Sequence, residues 1–256
     1  MFLLSFVQGI TEFLPVSSSA HLILFQNMLQ NDFGLFFDIS LHFGSILAVF
    51  MFYRSEFIKL IKSLFVYDKS LNNERHLILK LIVGTLPIII AGFFLYGVVA
   101  DDARNIALIA INCILFGVVL YIADRFFSQK KGVNEISYKN AFIIGLFQVL
   151  ALLPGVSRSG ITITGARFLN VKRIDAIQFS VFLSLPVIVG AMVYAVYKNV
   201  GKFVFDWELL LGIFFSFIIS YVALWLFVKI AKKFSFTFFA VYRILLGLFL
   251  LYLIAY

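Results

Sequence analysis

The sequence predicts an all-α fold, a polytopic membrane helical bundle in a single integral membrane domain over residues 1–256. Three observations carry that reading. Apolar residues make up 62% of the chain against 13% charged, and the mean hydropathy of +1.04 leaves too little polar surface to coat a soluble globule of this length. The apolar residues fall in runs of about 20 without alternation, the length that crosses a bilayer as helix and the wrong pattern for a β-barrel. Two short polar segments, Gln8-Gly-Ile-Thr-Glu-Phe-Leu-Pro-Val-Ser-Ser-Ser-Ala-His21 and Pro154-Gly-Val-Ser-Arg-Ser-Gly-Ile-Thr162, interrupt these runs.

Six stretches are long and apolar enough to span, at roughly 35–53, 77–99, 105–125, 175–197, 207–230 and 236–256. The remaining apolar regions, about 2–30 and 139–170, are each broken in the middle by a polar segment. Each leaves a pair of half-length helices, expected to form a re-entrant hairpin that enters and leaves on one side. The segment 54–80 reads as a basic loop, too charged for core and too plain for a domain.

The net charge of +8 is not the footprint of a nucleic-acid binder, because the cations sit in short loops between spans. If 54–80 is cytoplasmic, alternation also places 125–139, 167–173 and 229–233 there, and these loops hold sixteen of the 21 Lys and Arg. The opposite loops hold Arg104, Lys198 and Lys202. The positive-inside pattern is met, with the first hairpin entering from outside and the second from the cytoplasm. The single cysteine, Cys113, excludes an intrachain disulfide. The first residues lack a basic region, so a cleavable signal peptide is not expected.

The halves resemble each other. Gln8 aligns with Gln148, Val16 with Val156, Ser17 with Ser157 and Ser19 with Ser159, all at one separation of 140 residues. This divides the chain into repeat one, about 1–126, and repeat two, about 139–256. Three spans separate the hairpins, an odd number, so the two repeats are expected to be inverted, with their hairpin tips meeting near the midplane.

Ionisable residues inside a bilayer are functional hypotheses by default. Gln8 and Glu12 lie one helical turn apart on one face, where a carboxylate and an amide oxygen can hold a divalent cation. Pro15 ends the first half-helix, and Ser17, Ser18 and Ser19 are natural caps for the next. A helix N-terminus is a ready anion site, and His21 falls in its first turn. Two arrangements are open: Ser18 as nucleophile with His21 as its base, or His21 as the nucleophile itself. At the second tip Pro154 and Gly155 break the helix, Ser157 caps the next one, and Arg158 offers a planar fork suited to phosphate oxygens. Thr162 lies one turn further on the same face. A buried guanidinium needs a partner, either an acid such as Glu12 or an anionic substrate.

His42 could face the cavity or pack as a hydrogen-bonded residue. Tyr53, Arg54 and Arg243 lie where interfacial anchoring is the default, and His76 is expected in solvent. Neither a Walker motif nor zinc-ligand spacing is present in the sequence. The parts assembled suit phosphate carried on a lipid, since phosphoryl transfer depends mostly on positioning and charge neutralisation.

The two motifs, in this order, closely resemble the undecaprenyl-diphosphate phosphatase family of the bacitracin-resistance type, and the similarity extends through Phe37 to Val49 and Phe238 to Arg243. The resemblance implies hydrolysis of undecaprenyl diphosphate to the monophosphate carrier used in bacterial cell-wall synthesis. It further implies a multi-pass protein of the bacterial plasma (inner) membrane with an active site opening to the outer face. By motif position, Gln8 and Glu12 fall on the metal-associated acidic pair, and Ser18 and His21 on the nucleophile and acid/base region. Arg158 falls on the phosphate-binding arginine. Ser17, Ser19, Ser157, Ser159 and Thr162 count as phosphate-binding positions. The implied cofactor is a divalent cation, Mg2+ or Ca2+, the partner is a polyprenyl diphosphate lipid, and a homodimer is a candidate assembly. The first acidic position of the family often carries Glu, whereas this chain has Gln8. The rival reading is a transporter or flippase for a phosphorylated polyprenyl lipid, because inverted broken-helix repeats are also a transporter architecture.

Overall fold

The computed structural model describes residues 2–18, 20–21, 35–102, 105–199 and 206–255, with backbone alone at 35 and 96–102. Ten α-helices follow one another among these residues: α1 (Phe2–Thr11), α2 (Leu35–Phe52), α3 (Arg54–Phe65), α4 (Asn72–Asp102), α5 (Ile106–Phe126), α6 (Tyr138–Val149), α7 (Arg158–Phe168), α8 (Arg173–Lys198), α9 (Trp207–Lys233) and α10 (Thr237–Ala255). No extended strand occurs among the described residues, only an isolated bridge between Lys131 and Val171.

Five helices, α4, α5, α8, α9 and α10, are long and apolar enough to cross a bilayer, and α2 with α3 adds a sixth if that bent pair is one span. All six expected spans therefore fall on helices. The chain is an all-α polytopic membrane bundle. Its surface is inverted relative to a soluble protein: Ile90, Phe93, Leu115, Val193, Phe214 and Phe249 are exposed, while Gln8, Glu12, Ser45, Asp124, Arg167 and Arg243 are buried.

The half-length helices are short for a physical reason. The ten residues of α1 rise only about 15 Å, half a hydrocarbon core, before the chain turns at 12–17. The second broken region is α6, a 3-10 turn at Leu150–Leu152, a bend through Pro154 and Gly155, and then α7. Asn105 and Ser137 cap α5 and α6 by accepting from the backbone N–H of Leu108 and Asn140. α1 packs on α9 and α6 on α4, while α2 pairs with α9 and α5 with α10.

Small residues let these pairs close. A Cβ on Gly44 would lie 2.4 Å from the carbonyl oxygen of Ile213, and Ser45 Oγ bonds to Ser216 Oγ at 3.1 Å and Ser220 Oγ at 2.9 Å, so α2 and α9 touch through backbone and hydroxyls. In lipid, where apolar side chains gain little by leaving the solvent, such close approach carries the helix pairing.

Segment 54–80 departs from the expected loop. It contains α3, a 3-10 turn at Lys69–Leu71 and the start of α4, and α3 turns 85° from α2. Leu60 and Ser63 face the bundle, Ile58, Ile61, Leu64 and Phe65 form an exposed apolar stripe, and Lys59 and Lys62 lie beside it. That pattern is the makeup of an interfacial helix. Its three cations, Arg54, Lys59 and Lys62, mask the helical period in the sequence.

A charged node fastens one end of the bundle. Buried Asp124 near the end of α5 accepts from Arg167 Nε at 3.0 Å, from Arg173 Nε at 2.8 Å and Nη2 at 3.0 Å, and from the Phe236 backbone N–H at 2.8 Å. Arg167, fully buried at the end of α7, also donates to the carbonyls of Phe127, Ser128 and Val171. One carboxylate thus ties α5, α7, α8 and the entry to α10.

Candidate active site

The two helix breaks meet. Arg158 Nη2, in the first turn of α7, donates to Glu12 Oε1 at 2.7 Å, and Ser159 Oγ donates to the carbonyl of Leu14 at 2.8 Å. The ion pair that the sequence offered as one partner for the guanidinium is formed. Arg158 Nη1 is buried without a partner, so half of the fork is unused.

Glu12 gathers the first tip around itself. Its backbone N–H continues the helix by donating to the Gln8 carbonyl at 3.0 Å, which brings Gln8 alongside. Glu12 Oε2 accepts from Gln8 Nε2 at 2.7 Å and from Ser18 Oγ at 3.2 Å, and lies 3.5 Å from His42 Nδ1. Gln8 Nε2 is also 2.9 Å from His42 Nδ1, so His42 belongs to the cluster. Gln8 Oε1 is buried and has no partner.

His21 faces elsewhere. Its Nδ1–H donates to the Ser17 carbonyl at 2.7 Å, which fixes Nε2 as the acceptor for the Tyr242 hydroxyl at 2.6 Å, and the two rings stack 5.8 Å apart. Ser18 and His21, offered by the sequence as nucleophile and base, are not hydrogen-bonded to each other; the Ser18 hydroxyl proton points at Glu12.

Both tips use the same backbone device. Ser17 has φ 74° and Ser157 has φ 68°, a left-handed conformation uncommon outside glycine, at the turn into the following helix. Ser157 Oγ caps α7 by accepting from the Gly160 N–H at 3.1 Å and sits 3.2 Å from Ser159 Oγ. Thr162 stands apart: its hydroxyl donates to the Arg158 carbonyl at 2.8 Å and meets Ser180 Oγ at 2.6 Å. Ser19 lies outside the described residues.

Two residues of α10 were missed. Tyr242 was not singled out in the sequence, where an aromatic in an apolar run carries no signal. Arg243, expected at an interface, is fully buried and donates through Nη2 to the Gly155 carbonyl at 3.0 Å, directly behind the second tip. A cation in the first half of an apolar helix looks like an anchor until the break it packs against is known. His76 is where expected, exposed, with Nδ1 2.5 Å from the Tyr138 hydroxyl.

Beside the tips runs a groove of about 360 Å³ between α1 and α10, lined by Leu3, Phe6, Val7, Ile10 and Phe238, with His21 and Tyr242 also on its wall. For a metal, the described residues hold no group of three His, Cys, Asp or Glu side chains placed to bind one. The Gln8–Glu12 corner nevertheless fits a hard cation of the kind that takes one or two protein oxygens and completes its shell with phosphate and water: turning the amide over presents the orphaned Oε1 beside the carboxylate.

These features define a class: a polytopic helical membrane protein whose two helix breaks join in one buried, charged site beside an apolar groove. Comparison with known proteins gives the family. Residues 1–249 match the family model described as bacitracin resistance protein BacA, and the chain belongs to that family. It is 39% identical to the undecaprenyl-diphosphatase of Pelagibacter ubique, covering 99% of this chain and 96% of that protein. It is 38% identical to the undecaprenyl-diphosphatase of Alcanivorax borkumensis, covering 98% and 97%, and 37% identical to undecaprenyl-diphosphatase 1 of Pseudoalteromonas translucida, covering 95% and 94%.

Proposed function

We propose that this chain is a membrane phosphatase that hydrolyses undecaprenyl diphosphate to undecaprenyl phosphate and inorganic phosphate. The observation that carries the reading is the Ser18–Glu12–Arg158 chain across the two tips, which puts a hydroxyl, a proton acceptor and a phosphate-binding cation within two hydrogen bonds. A carrier for a phosphorylated lipid needs the cation and not the other two, so the transporter reading has less support. Family membership and relatives named undecaprenyl-diphosphatase point the same way.

The chemistry follows from the contacts. The diphosphate enters with its polyprenyl tail in the α1–α10 groove and its terminal phosphate at the tips. Its oxygens compete with Glu12 for Arg158, engage the unused Nη1, and meet the N–H groups at the start of α7. Released from the ion pair, Glu12 takes the proton of Ser18 as Oγ forms a bond to the terminal phosphorus and the anhydride P–O bond breaks. The proton leaves with the lipid monophosphate. The carboxylate then draws a proton from the water that cleaves the phosphoserine, and this proton returns to Ser18 Oγ as phosphate departs. Tyr242 and the Ser17 carbonyl hold the His21 ring in one tautomer at the wall of the groove. Gln8 and Glu12 are the residues that would hold Mg2+ or Ca2+, which when bound neutralises charge on the diphosphate.

The remaining parts of the reading are the bacterial inner membrane as location, a site open to its outer face, an assembly that includes a homodimer, and descent from two inverted repeats. The last is supported by the serines at positive φ, 140 residues apart, and by a packing scheme in which α1 on α9 and α6 on α4 are equivalent pairs. Phosphate release from polyprenyl diphosphates by the purified protein tests the function. Release that survives in Glu12→Ala and Arg158→Ala variants overturns the site, and no release from any polyprenyl diphosphate favours transport.

A further inference from the structure

We propose that Arg243 is the second cation of the phosphate site, a buried guanidinium at the N-terminus of α7 whose charge is balanced by the diphosphate of the substrate. The inference rests on the phosphatase reading and deepens it.

Arg243 has no surface exposure. Nη2 donates to the carbonyls of Gly155 at 3.0 Å and Asn112 at 3.4 Å, whereas Nε and Nη1 are buried without partners. Among the described residues none of the carboxylates pairs with it; the ion pairs there use His42, Arg158, Arg167 and Arg173. A fully buried cation left without a counter-ion is costly, and in lipid there is no water to relieve it. Cys113 lies near, but its thiol donates to the same Gly155 carbonyl at 3.5 Å and so does not act as an anion.

The unpartnered nitrogen has a direction. A Cβ built on Gly160 would lie 2.7 Å from Arg243 Nη1 and 3.1 Å from Ser157 Oγ, so Nη1 rests against the first turn of α7, where the capped N-terminus concentrates partial positive charge. Gly160 is the residue that leaves the guanidinium this space. Arg158 stands in the same turn and reaches the opposite tip. Two guanidinium groups thus meet at one helix N-terminus, and only one of them, Arg158, has a carboxylate partner among the described residues, Glu12. A dianionic or trianionic headgroup supplies what that arrangement lacks.

Binding of inorganic pyrophosphate to the detergent-purified protein tests the inference without requiring turnover. Arg243→Gln, which keeps a donor for the Gly155 carbonyl and removes the charge, is expected to weaken pyrophosphate binding by about tenfold or more. Arg243→Lys is expected to weaken it clearly less. Wild-type affinity in Arg243→Gln, or equal losses in both variants, overturns the inference in favour of a purely structural clamp. Should neither variant fold, Cys113→Asp leaves Arg243 in place and gives it a resident counter-ion. Pyrophosphate binding should again fall about tenfold, and unchanged binding overturns the proposal. Arg158→Ala runs alongside: if that variant binds pyrophosphate and hydrolyses lipid like wild type, the phosphatase site itself is wrong. If it loses both while the Arg243 variants lose neither, only the role of Arg243 falls.

Discussion

Glu12 and Arg158, 146 positions apart in sequence, form an ion pair of 2.7 Å that joins the two helix breaks. The pair satisfies both charges at rest, and Arg158 still holds back a buried nitrogen with no partner. Removing Glu12 leaves Arg158 buried without its carboxylate, and removing Arg158 leaves Glu12 with Gln8, Ser18 and His42 but no guanidinium. Arg158→Ala is expected to lower phosphate release by about 10²–10³, the range for loss of one donor aimed at developing charge. Arg158→Lys should fall between, since it keeps a charge and loses the fork. Rates measured on a polyprenyl diphosphate, with thermal unfolding as the control for folding, check the order; a Lys variant slower than Ala contradicts it.

Ser18 donates its proton to Glu12 while His21 is turned to Tyr242. If that geometry carries the reaction, Ser18→Ala loses the nucleophile and turnover drops by about 10³ or more. His21→Asn should lose less. A phosphoenzyme trapped by rapid acid quench should carry its phosphate on residue 18, and a label found on residue 21 would reverse the assignment.

The spans were legible because bilayer thickness sets one length and hydropathy reports it directly; α5, predicted at 105–125, is Ile106–Phe126. The site was legible in part for the same reason, since Glu12 and Arg158 stand out wherever the surroundings are apolar. What the sequence hid depends on rotation and neighbours. Arg243 and Tyr242 differ from interfacial anchors only in which way α10 faces and in the break beside it. Thr162 shares a helix face with Arg158, yet Ser180 on α8 claims its hydroxyl. α3 is built from the same residues as a loop and is recognisable only by its period.

Asp124 receives two arginines and a backbone N–H, all at or below 3.0 Å. Asp124→Asn removes the charge while keeping the size, leaving Arg167 buried with carbonyls alone. The cost is expected at about 3–5 kcal/mol, the range for breaking a buried pair from one side. A lower unfolding temperature in detergent checks it. Pyrophosphate affinity of the fraction that stays folded should be unchanged, because the node clamps the far end of α7 from its tip.

Gln8 gives the metal corner an oxygen without a charge. A chelator is expected to reduce phosphate release, and added Mg2+ or Ca2+ to restore it. Gln8→Glu adds a second carboxylate one turn from Glu12, so the cation concentration for half-maximal rate should fall. It should also make the enzyme without added cation slower, since two carboxylates then repel at close range. Unaltered cation dependence in Gln8→Glu would place any metal elsewhere.

Gly155 and Gly44 separate tip geometry from packing. Gly155 has φ 85°, and a Cβ there would lie 2.5 Å from the Ile109 carbonyl oxygen. Gly155→Ala combines a left-handed cost of about 1–2 kcal/mol with a backbone collision, and the strained residue is the one whose carbonyl Arg243 holds. Relief of that strain moves the tip, so hydrolysis should fall further than the unfolding temperature suggests. A Cβ on Gly44 of α2 would lie 2.4 Å from the Ile213 carbonyl oxygen, and the nearest atoms it would meet all belong to α9, none to Glu12 or Arg158. Gly44→Ala should push these two helices apart and lower the unfolding temperature, while the activity of each folded molecule persists. Comparing specific activity with thermal unfolding for both variants distinguishes the two effects, and equal losses of activity per folded molecule would refute the distinction.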